Sequence, residues 1–135
     1  MIIVLSTYPD KKRAEGAASE IVRKELAACV NVIKIGKSFY RWKGKLQSEE
    51  EHLLLIKTKM KAYKQLELFI KKTHPYETPE IVYFKVEGGN KSYLSWLDKN
   101  VLSRLLSVPL DLRVTRRAGA PLRAPTRARK PKMTS

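Results

Sequence analysis

A chain of 135 residues with 43% hydrophobic side chains holds one domain with its own core and excludes a multidomain enzyme. Its 28 Lys and Arg exceed 13 Asp and Glu, a formal charge of +15 that, taken whole, suggests nucleic acid. The excess is uneven: residues 108–135 carry eight bases, one acid and four of the seven prolines, so +7, which leaves +8 on the first 107. The chain therefore divides into a folded body, 1–107, and a basic Pro/Arg-rich tail, 108–135, expected to be disordered and to touch nucleic acid only weakly.

In chain order, Ile2–Thr7 is a β-branched run that predicts a strand buried on both faces. Asp10 is placed to cap a helix whose apolar stripe is Ala14, Ala17, Ala18, Ile21 and Val22. Ala28–Ile35 has strand composition, and Ser38, Tyr40 and Trp42 alternate on one strand face. Lys43-Gly44 predicts a tight turn, with the strand from Glu51 to Thr58 as the other arm of a long hairpin. Met60, Tyr63, Leu66, Phe69 and Ile70 mark a second helix, which Pro75 stops. Ile81–Val86 predicts a last strand, and Asn90 the cap of a third helix with Leu94, Leu97, Val101 and Leu105 on one side.

The order β-α-β-β-α-β-α has few compact solutions. Right-handed crossovers put the two main helices on one face of a four-stranded antiparallel sheet. The predicted class is α+β, a ferredoxin-like fold with an added C-terminal helix. Its other sheet face is left bare, which predicts oligomerisation. No apolar run approaches the ~20 residues of a membrane span, so no membrane partner is expected. Ile2–Leu5 lacks the flanks of a signal peptide. The single Cys29 excludes an intrachain disulfide and any CxxC motif. It suits a reducing setting, so the expected location is cytoplasmic.

Five segments carry a family resemblance: Glu25-Leu26-Ala27-Ala28-Cys29-Val30-Asn31, Ser38-Phe39-Tyr40-Arg41-Trp42-Lys43-Gly44-Lys45, Lys57-Thr58, His74-Pro75-Tyr76-Glu77-Thr78-Pro79-Glu80-Ile81 and Tyr93-Leu94-Ser95-Trp96-Leu97. In this order and spacing, over about residues 1–103, the chain resembles the CutA divalent-cation tolerance family. The resemblance implies a ferredoxin-like subunit, a homotrimer related in architecture to PII signalling proteins, and a divalent metal, with Cu(II) proposed for the family. It brings no established reaction and no organic cofactor, so no enzyme activity is expected.

Two residues are candidate metal ligands. His74 offers a borderline imidazole beside a helix end, and its other reading is a residue that stabilises the helix C-terminus. Cys29 offers a soft thiolate, and its other reading is a small core residue. Some relatives carry cysteine where this chain has Ser6, a much poorer soft ligand, so a role inferred from that cysteine does not transfer. His52 follows Glu49-Glu50-Glu51, a cation collector or simply a solvated strand start. A second set, Tyr40, Trp42, Lys57, Tyr76, Glu77 and Trp96, corresponds in the family to positions around a cleft between subunits. Lys for charge, rings for stacking and Glu77 for a donor suit a planar or anionic ligand, and interface packing is the other reading. Glu77 and Glu80 superficially resemble an acid/base pair, although Glu80 stands just before a strand where a lysine partner serves it as well.

Overall fold

The computed structural model describes residues 1–102. Seven elements follow one another: β1 (Ile2–Tyr8), α1 (Lys11–Arg23), β2 (Cys29–Trp42), β3 (Lys45–Thr58), α2 (Met60–Thr73), β4 (Val82–Lys85) and α3 (Lys91–Lys99). The strands form one sheet in the order β2-β3-β1-β4, and every neighbouring pair is antiparallel. This is the ferredoxin-like α+β arrangement that the element order predicts.

Helix α1 starts where expected. The Asp10 carboxylate accepts the N–H of Arg13 at 2.8 Å, which satisfies one of the first-turn donors. Ala14, Ala17, Ala18 and Ile21 are buried, and their small size lets the helix lie close to the sheet. Val22 departs from expectation and is 41% exposed. At 100° per residue it sits about 80° around the helix from Ala14, at the margin of the stripe.

The hairpin is longer than the sequence suggests. β2 runs as one strand from Cys29 to Trp42, and β3 begins at Lys45, six residues before Glu51. The register shifts between Ile35 and Ser38, where Gly36 and Lys37 oppose the single residue Glu50, a β-bulge. The polar stretch Gln47–Glu50 disguises its strand, because this part of the ribbon has no third strand to bury it. β1 pairs with β3 only from His52 to Thr58, so the outer half of the hairpin runs on past the sheet as two strands. Lys43 and Gly44 close it with φ of 50° and 78°, the paired left-handed conformations of a type I′ turn.

Helix α3 is shorter than its apolar spacing predicts. It ends at Lys99, and the Asn100 N–H bonds to the Leu97 carbonyl. Val101 is buried just beyond the helix end rather than within it. Lys59 holds α3 to the start of α2 through the Asp98 carboxylate at 3.2 Å. Leu105 and the 108–135 tail lie outside the described residues.

Alternation along the strands separates two sheet faces. Ile2, Val4, Leu54 and Ile56 are at most 2% exposed and pack under α1 and α2 with Ile21, Leu66 and Ile70. On the opposite face, Ile3 lies beside Phe84 and Leu5 beside Val82. Val82, Phe84 and Ile33 there are 48%, 49% and 42% exposed.

Candidate functional site

His74 is the cap residue that ends α2; its N–H bonds to the Ile70 carbonyl at 2.8 Å. Pro75 drives it out of helical space, to φ −74° and ψ 139°. The turn swings the imidazole back against the end of β1. There Nε2 lies 2.8 Å from the Thr7 carbonyl oxygen, and Nδ1 accepts the backbone N–H of Tyr76 at 3.0 Å. The second bond fixes the tautomer. Nδ1 is the bare, accepting nitrogen, so the neutral ring carries its proton on Nε2 and donates it to Thr7.

Aromatic rings flank this imidazole. The Tyr8 ring centroid is 4.2 Å away and that of Tyr76 4.8 Å. His74 is 8% exposed, and burial pushes its pKa down to about 4. The Thr7 carbonyl and the Glu51 charge oppose that shift, and Arg13 adds to it. The Tyr8 hydroxyl is fully buried and its pKa is raised for the same reason. The network continues into β3: the Tyr76 hydroxyl donates to Glu51 Oε2 at 2.8 Å, and Glu51 is 1% exposed. Four chain segments thus meet at one end of the sheet: the end of β1, Glu51 of β3, the end of α2 and the loop that follows it.

The expected metal residues do not all come to this place. His52 stands directly opposite Tyr8 across the sheet, so both histidines lie near the same strand end. Cys29 is half-buried at the start of β2, opposite Lys57, which itself pairs with Ile3. Thr7, which holds His74, is four residues further along β1 than Ile3, about 13 Å at strand rise. Cys29 and His74 are therefore at opposite ends of the sheet. Ser6 is buried on the helix-covered face. Among the described residues, no three His, Cys, Asp or Glu side chains are grouped to hold a metal ion. At His74 itself the fit fails on lone pairs, because Nδ1 spends its one on the Tyr76 N–H and Nε2 bears the proton.

The cleft set is also dispersed within one chain. Tyr40 pairs with Gln47 and Trp42 with Lys45, near the tip of the hairpin. The Lys43 amine lies 5.9 Å from the Trp42 ring centre. Lys57 is ten residues from Gln47 along β3, about 33 Å. Tyr76 is buried in the His74 network, whereas Glu77 beside it is exposed and Glu80 half-buried. Trp96 is 46% exposed on α3, with the Tyr93 ring 5.7 Å away. Tyr40, Trp42, Glu49 and Lys57 share the face of the sheet away from the helices.

Sequence reasoning does not single out Tyr8 or Thr7. Thr7 acts through its backbone carbonyl, which no side chain announces. Tyr8 is legible only as an aromatic at the end of a β-branched run.

The model of the family described as "CutA1 divalent ion tolerance protein" matches residues 2–100. The chain belongs to the CutA1 divalent ion tolerance family. A divalent-cation tolerance protein CutA of Yersinia pestis is 42% identical over 101 residues, 75% of this chain and 85% of the relative. The CutA1 structure from Thermus thermophilus superposes with a TM-score of 0.73 at 41% identity, covering 76% of this chain and 100% of that one. A CutA from Archaeoglobus fulgidus, described as periplasmic, superposes at 0.72 with 35% identity over 76% of this chain and all of that one. The CutA1 match ends at residue 100, and the Arg-rich tail lies beyond it.

Proposed function

We propose that this CutA1 chain works as a homotrimer in divalent-cation tolerance, taking up the cation without catalysing a reaction. One observation carries the reading: the sheet face opposite the helices is apolar and bare, with Val82, Phe84 and Ile33 all more than 40% exposed. A soluble surface seldom leaves such a patch without a partner. A second and third copy meet the need, and closed symmetry lets the same patch serve in each. Copper is the cation of this reading, because the Cys29 thiol and the His52 imidazole are the softer ligands left in the chain once His74 is committed. One subunit gathers no ligand set among its described residues, so the cation in this reading sits between copies. The proposed location is the cytoplasm, on the strength of one unpaired Cys29.

The test pairs assembly with binding. Sedimentation of the full chain gives a trimer, and Cu(II) titration calorimetry gives a saturable heat. Phe84→Asp puts a charge on the bare face, dissociates the trimer and removes that heat. A monomeric Phe84→Asp that binds copper as well as the wild type contradicts the intersubunit site.

A second reading is a PII-like sensor or scaffold whose cleft between subunits takes a small anionic or planar molecule. Its support is that Tyr40, Trp42 and Lys57 lie on the bare face while about 33 Å separates the two ends of the set within one chain. A thermal-shift screen of metabolites tests it. A stabiliser of the wild type that fails on Lys57→Ala favours this reading, and none in a broad set counts against it.

A further inference from the structure

We infer that His74 is a positioning residue rather than a cation ligand: its neutral ring ties the loop after α2 to the end of β1, and through Tyr76 holds that loop on Glu51. The inference deepens the proposed function and rests on it for the zinc arm of the test alone. Both ring nitrogens are committed, Nδ1 to the Tyr76 N–H at 3.0 Å and Nε2 to the Thr7 carbonyl at 2.8 Å. A metal needs an imidazole lone pair. Taking the one on Nδ1 breaks the Tyr76 bond. Taking one on Nε2 requires loss of the proton and of the Thr7 bond together.

The surroundings offer no compensation. The ring is packed between Tyr8 and Tyr76 and is 8% exposed, which leaves no open side for three further ligands. The carboxylate linked to it, Glu51, receives the Tyr76 hydroxyl, and Cys29 is at the far end of the sheet.

The same geometry gives the ring a positive task. The loop of residues 74–80 contains no regular element, and three hydrogen bonds of its side chains help to fix its start: His74 to Thr7, Tyr76 to His74, and Tyr76 to Glu51. Two of the three end on the imidazole. Glu77, an exposed member of the cleft set, follows Tyr76 directly. His74 therefore acts on the cleft through the loop, without touching a ligand there.

The experiment uses the full chain with 15N-labelled histidine. Long-range proton–nitrogen spectra at neutral pH are recorded without and with excess zinc chloride, a diamagnetic divalent probe, and bound zinc is counted by equilibrium dialysis. His74 is expected as the Nε2-protonated tautomer, with ring resonances that zinc does not move. A metal-type shift of a His74 nitrogen, or the opposite tautomer, overturns the inference. Zinc bound with the ring unmoved supports it and puts the ligands elsewhere. If no zinc is bound, the copper reading is left to its own titration, and the tautomer and the next arm decide this inference.

That arm is hydrogen exchange at the Tyr76 amide. His74→Asn retains a side-chain acceptor that can take an N–H two residues on, as in an Asx turn, and should keep exchange within about threefold of wild type. His74→Leu removes the acceptor and should speed exchange about tenfold, the effect of one lost hydrogen bond. Equal rates in His74→Leu and wild type overturn the inference. Should His74→Leu fail to fold, the wild-type spectra and His74→Asn decide it.

Discussion

The two faces of the sheet use the same strands and almost the same residue types to opposite ends. Under the helices, Ile2, Val4, Leu54 and Ile56 are closed off at no more than 2% exposure. One residue along each strand, Ile3, Leu5, Leu53 and Leu55 look the other way, and their edge neighbours Val82 and Phe84 are about half exposed. A strand reading cannot tell the faces apart by composition, because both are apolar. What separates them is topology: both crossover helices return to one side. The covered face holds the subunit together, and in the proposed assembly the bare face is what recruits further copies.

Removing three side-chain carbons from each face should have unequal effects. Leu54→Ala, on the covered face at 0% exposure, should cost about 2–5 kcal/mol in the urea midpoint of unfolding. Ile33→Ala, 42% exposed on the bare face, should cost under about 1 kcal/mol within a dissociated subunit. Equal losses in the two variants contradict the assignment of faces.

A smaller effect probes the strand end where the faces meet the His74 network. Burial holds the His74 pKa at about 4, below the 6.5 of the unfolded chain. Between those values the unfolded state binds more protons, so stability is fully present above about 6.5 and is lost as pH falls to about 4. The loss should approach 3 kcal/mol at most, and it should be absent in His74→Asn. Urea midpoints at pH 7 and pH 4.2 check it, and a wild-type loss identical to that of His74→Asn removes His74 from the account. Tyr76→Phe leaves the buried Glu51 without this donor and should cost about 1–3 kcal/mol at neutral pH. The Asp10 cap is the mildest target. Asp10→Ala should lower stability by about 0.5–2 kcal/mol, read from the same midpoints.

Most of the fold was legible in the sequence because its signals are local. The β-branched run of β1, the Asp10 and Asn90 caps, the Lys43-Gly44 turn and the Pro75 stop each act within a few residues. The errors occur where tertiary context decides. Gln47–Glu50 falls before the strand read from Glu51, yet a two-stranded ribbon open to water accepts polar residues. Val101 fits the spacing of α3, yet the helix ends at Lys99 and the residue is buried from the following segment.

The candidate site was less legible. His74 was conspicuous as one of two histidines, but its partners are a backbone carbonyl 67 residues earlier and an amide two residues later, neither of which a side-chain pattern records. Glu51 is chemically identical to Glu49 and Glu50 in the sequence. Only the register of β1 on β3 sets it beyond Tyr8 and within reach of Tyr76. Resemblance alone groups the six cleft residues, and one chain spreads them over tens of ångströms, so their meeting depends on assembly.

The use of the bare face therefore turns on assembly, which sedimentation equilibrium of the full chain reads without a label or a ligand. A single species of three times the 15.5 kDa chain mass is expected, stable to dilution and dissociated by Phe84→Asp. A stable species at 15.5 kDa would contradict it, and with it the use of the bare face as an interface.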